Sequence, residues 1–121
     1  MSALVLGGYI LLALPAAYVG GLLHELTHAV AVLLVGGNVE AVSLWPWDLA
    51  VGFEVVDDGR AALVAFAPIL LTPLVALGVW ETVKSAPWPW LFPALGVIAG
   101  YVPLSRSDWA GFPLLASAMR R

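Results

Sequence analysis

The chain has no cysteine, so no disulfide can brace it, no thiolate can hold a metal, and its redox compartment leaves no mark. Charge is scarce too: Asp, Glu, Lys and Arg together make 11% of the 121 residues, with a formal net charge of -3. Five scattered cations build no basic stripe of the kind that follows a phosphate backbone, so nucleic acid is not an expected partner. Histidine is limited to two residues. What fills the chain instead is apolar: 62% hydrophobic residues and a mean hydropathy of +0.98, well above a soluble domain. The composition reads as one α-helical integral membrane domain over residues 1–121, with the lipid bilayer as its solvent.

Both histidines sit in one short run, His24-Glu25-Leu26-Thr27-His28, inside an apolar stretch that extends from Ala3 to Val35. Residues four apart share a helix face, so the two imidazoles can reach the same ion, and zinc is the natural candidate. Glu25 is rotated roughly a quarter turn from His24, which sets its carboxylate beside the ion and not on it, where a general base belongs. The plain alternative is two polar side chains that happen to share a spacing. Ionisable groups in the middle of a hydrocarbon-length segment are expensive, however, and mark functional sites.

The expected architecture is about three long, bent transmembrane segments with a short interfacial β-hairpin. Residues 3–35 form the first span, carrying the histidines; at 1.5 Å per residue it is about 50 Å long, more than the ~30 Å hydrocarbon core, so it tilts, bends or protrudes. Pro15 and Gly20-Gly21 are its bending points, and a break at Gly20-Gly21 is the alternative. The segment reads as retained: there is no basic region before it, and the run continues well past the small residues at Ala16-Ala17, unlike a cleaved signal. Gly36-Gly37-Asn38 ends the helix.

Residues 38–57 alternate in short runs around Trp45-Pro46-Trp47-Asp48, with a second run over Val51 to Val56, which reads as the hairpin. Its tryptophans suit a membrane interface, and its strand edge could pair with an extended peptide. Asp57 or Asp58 can cap a second span over 61–83, which contains Pro68 and Pro73. A third span covers 88–119, with Gly96 and Gly100 forming a face on which another backbone can approach closely. Ser105-Arg106-Ser107-Asp108 interrupts it, and a break at Pro103 would raise the count of segments to four or five. With three spans the first and third run the same way, and Asp108 falls about as far into its segment as His24 into its own, so the two share a depth. Asp108 could equally pair with Arg106 or cap the helix after Pro103. Arg60, Arg120 and Arg121 fall on the hairpin side and Lys84 opposite, which places the hairpin and C-terminus in the cytoplasm, most naturally at the cell membrane.

With these parts in order, the chain resembles the site-2 protease family of intramembrane zinc metalloproteases, as a minimal core without a PDZ domain. Ala67-Pro68-Ile69-Leu70-Leu71-Thr72 is similar to the family's Ala-Gly-Pro-x-x-Asn helix, shifted so that Ala67-Pro68 stands for Gly-Pro. Gly100 to Asp108 is similar to its Asn-x-x-Pro-x-x-x-Leu-Asp stretch, with the same spacing from Pro103 to Asp108. The resemblance implies zinc held by His24, His28 and Asp108, Glu25 as general base, and a transmembrane segment of a membrane protein as substrate. Gly100, Trp109 and Thr72 depart from the family's Asn, Gly and Asn; Thr72, Ser105 and Ser107 are candidates for the substrate and oxyanion contacts those Asn side chains make. The alternative is a non-proteolytic metal-binding membrane protein or accessory subunit built on the same fold.

Overall fold

The computed structural model describes residues 1–46 and 48–102. Helix α1 runs unbroken from Ala3 to Leu34, with Ser2 capping its start by accepting from the Val5 N–H at 3.2 Å. Pro15 and Gly20-Gly21 lie inside it without dividing it, so the expected single element holds and the proposed break does not occur. It ends where the glycines require: Gly36 takes φ +79°, a left-handed conformation that suits a residue without Cβ, and Gly37 donates to the Val32 carbonyl at 2.8 Å.

The hairpin forms as expected from β1 (Asn38–Trp45) and β2 (Asp48–Glu54), antiparallel, with Trp45 opposite Asp48. The second strand begins three residues before the Val51 start read from its hydrophobic run and ends at Glu54, two short of Val56, because cross-strand pairing sets its limits. A register shift between Val39 and Ala41 brings Gly52 opposite Ala41. Tyr18 of α1 ties the hairpin down by donating to the Leu44 carbonyl at 2.6 Å.

Helix α2 spans Asp58–Val83, capped by Asp57, whose carboxylate accepts from the Arg60 N–H at 2.8 Å. The cap moves its start three residues ahead of the expected 61. Arg60 also donates to the Val35 carbonyl at 3.0 Å, closing the exposed end of α1. A 3-10 turn at Trp88–Trp90 leads into α3 (Leu91–Tyr101). Of the described helices, α1 and α2 are long and apolar enough to cross a membrane; α3 has 11 residues, too few, and the rest of the expected third span, with the interruption and Pro103, lies outside the described residues.

The tightest packing is between α1 and α3, and it is made by missing side chains. A Cβ on Gly100 would fall on the Ala17 carbonyl, one on Gly96 would meet the Ala13 carbonyl oxygen at 2.5 Å, and one on Gly20 would strike the Val97 carbonyl. The small face read from Gly96 and Gly100 thus serves its expected purpose, and Gly20 answers it from the other side. Gly21, next along, makes room for Leu49 of β2. The glycine pair in α1 is therefore a contact point for two neighbours at once. Helix α2 is buried only along Ala62, Val64, Ala65 and Pro68; beyond them apolar hollows of about 500 and 400 Å³ separate it from α1 and α3.

Candidate metal centre

His24 and His28 are each 4% exposed, on the one stripe of α1 that is covered, together with Gly20 and Val32. The helical spacing does what it must: the two Nε2 atoms face each other at 3.1 Å. Each ring is held from behind. His24 Nδ1 lies 2.5 Å from the Tyr101 carbonyl oxygen of α3, and His28 Nδ1 lies 2.7 Å from the Val64 carbonyl oxygen of α2. A carbonyl only accepts, so both Nδ1 atoms carry hydrogen and donate, and the two Nε2 atoms are left facing inward. Two nitrogens this close need a cation between them, either a metal ion or a shared proton. Two nitrogens about 2.0–2.1 Å from one ion in tetrahedral geometry stand roughly 3.3 Å apart, close to the observed separation.

The ligand atoms of His24, Glu25 and His28 all lie within 4.8 Å of one another, so this group could hold a metal ion. Glu25 is half-buried and shares with His28 a cavity of about 80 Å³, lined also by Ala65 of α2 and by Leu49, Ala50, Val51 and Phe53 of β2. Leu49, Val51 and Phe53 alternate along the strand, so one face of the hairpin covers the carboxylate. The cavity has room for water beside Glu25 and His28.

Tyr101 is the residue that sequence reasoning missed. It is 1% exposed, its ring lies 5.9 Å from that of His24, and its hydroxyl is 2.9 Å from Thr27 Oγ1. Thr27 donates to the Leu23 carbonyl at 2.8 Å, so the Tyr101 hydroxyl is the donor to Thr27. Ring and carbonyl of one residue thereby grip the histidine helix at both turns. Its only sequence signal was its place after Gly100.

The other expected site residues divide in two. Thr72 donates to the Pro68 carbonyl at 2.9 Å within its own helix, and it does not line the cavity that holds Glu25. Asp108, Ser105 and Ser107 lie outside the described residues. Comparison with protein-family models, curated proteins and solved structures finds no match.

Proposed function

We propose that this chain is an intramembrane zinc metalloprotease of the site-2 type, cutting a membrane-spanning segment of another protein. The observation that supports it most directly is the pair of buried imidazoles, locked by carbonyls behind and facing each other at 3.1 Å, with a carboxylate in the same group. Membrane residence is supported by exposure. A core helix of a soluble protein is covered by its neighbours, whereas here Leu4 is 89% and Leu34 82% exposed, with Leu14, Leu70 and Leu74 also bare.

His24 and His28 would hold the ion through Nε2, with Asp108 as third ligand and the hairpin side in the cytoplasm. Zinc, when bound, supplies Lewis acidity that acidifies water and polarises a carbonyl. Glu25 takes the proton from the attacking water in the covered cavity and returns it to the leaving amine. Leu49, Val51 and Phe53 exclude bulk water, and the β2 backbone offers an extended peptide a strand to lie against. The substrate helix must unwind locally, since its own hydrogen bonds shield its peptide groups.

The test is metal analysis of purified protein, followed by cleavage of a reconstituted single-span substrate. The reading expects about one zinc per chain and a fall in cleavage of about 100-fold or more for Glu25→Gln with zinc retained. Zinc bound with no cleavage, or with cleavage that Glu25→Gln leaves unchanged, would leave a metal-binding membrane protein or accessory subunit.

A further inference from the structure

We infer that Pro68 is a positioning residue: by withholding a backbone N–H, it releases the Val64 carbonyl to hold His28 with Nε2 turned toward His24. The purpose of this device rests on the metal centre proposed above; its geometry does not.

In an α-helix the carbonyl of residue i accepts from the N–H of residue i+4. The residue four after Val64 is Pro68, which has no N–H and whose ring also crowds that carbonyl away from the helix axis. Both residues are fully buried, so solvent does not supply the missing donor. His28 supplies it, with Nδ1 at 2.7 Å from the Val64 oxygen. The exchange satisfies two groups at once: a carbonyl that lost its helical partner, and an imidazole whose orientation decides which nitrogen faces inward.

The other histidine is also held by a backbone carbonyl. It is the Tyr101 carbonyl of α3, whose helical donor four residues on, Ser105, lies outside the described residues. The Val64 carbonyl is freed by a proline inside a helix; both carbonyls receive an Nδ1–H. The other prolines inside α1 and α2 do not share this placement. Pro73 removes the donor for Ile69, which is 42% exposed, and Pro15 removes that for Leu11, which is 65% exposed.

The test uses the full chain in detergent, labelled with ¹⁵N-histidine, and two readouts: the ring-nitrogen signals of His28 without metal, and zinc affinity by competition with a chromophoric chelator. Pro68→Ala restores an N–H that competes for the Val64 carbonyl. It is expected to move His28 away from the Nδ1–H form and to weaken zinc binding by about 10- to 100-fold. Replacing Pro68 with the α-hydroxy analogue of alanine, which has no N–H and no ring, is expected to restore both readouts. A role in filling space or bending the helix would not be restored that way. Pro73→Ala is expected to change neither. The inference is overturned if Pro68→Ala leaves the His28 signals at parent values, or if the hydroxy-acid variant behaves as the alanine one. If the parent protein binds no zinc while Pro68→Ala still shifts His28, the metal reading falls and the positioning role stands. If the parent binds zinc and Pro68→Ala changes nothing, the reverse holds.

Discussion

At the scale of single residues, the centre is a set of hydrogen-bond directions. The two imidazoles are useful to an ion because each gives its Nδ1 hydrogen to a carbonyl, at Tyr101 and at Val64, and so keeps Nε2 for the interior. Replacing either histidine, His24→Ala or His28→Ala, should abolish stoichiometric zinc, which metal analysis of the purified variants would show. Thr27→Val is a finer probe. It leaves the buried Tyr101 hydroxyl without its acceptor and should cost about 1–3 kcal/mol in a detergent-denaturation series, with weaker zinc binding as α3 loosens. The histidines and Glu25 were legible in the sequence because helical spacing is a local rule, fixed by residues four apart. The carbonyls that orient them were not. They come from residues 77 and 36 positions away, and a backbone oxygen carries no residue-type signature. Pro68 came nearest to a signal, since a proline in a helix always strips one known carbonyl of its donor.

At the scale of elements, glycine decides which helices meet. Gly20, Gly96 and Gly100 let the backbones of α1 and α3 touch, and that contact delivers Tyr101 to His24. Gly100→Val puts its side chain onto the Ala17 backbone, which cannot yield as a flexible side chain would. The variant should lose about 1–3 kcal/mol or more of stability and most of its zinc affinity, read together by thermal unfolding with and without metal. Arg60→Ala, by contrast, removes contacts at an exposed helix end and should change stability by less than about 1 kcal/mol. The hairpin and the small face of α3 were readable from alternation and from spacing. Gly20-Gly21 was misread as a possible break, because glycine in a helix looks the same whether it weakens the chain or admits a neighbour. Only tertiary contact separates the two. The strand limits and the early start of α2 were likewise set by partners, through pairing across the hairpin and the Asp57 cap.

At the scale of the whole molecule, α1 and α2 are long and apolar enough to cross a membrane and present bare apolar surface along most of their length, which suits a hydrocarbon surround. The chain should therefore remain in the membrane fraction through an alkaline carbonate wash and leave it only with detergent. An ion bound there would join three parts of the chain, since α1 carries both histidines while α2 and α3 brace them. Stripping it with a chelator should lower the thermal midpoint, by an amount equivalent to about 2.7 kcal/mol where free zinc had stood at a hundred times its Kd. The brace on His24 also orders events during biosynthesis. His24 and His28 emerge from the ribosome early, but the acceptor for His24 is made 77 residues later, so a nascent chain has both imidazoles long before it can aim them. On the proposed reading, loading of the ion would follow bilayer insertion and helix assembly, and a chain halted before residue 101 would carry both imidazoles yet fail to retain the metal.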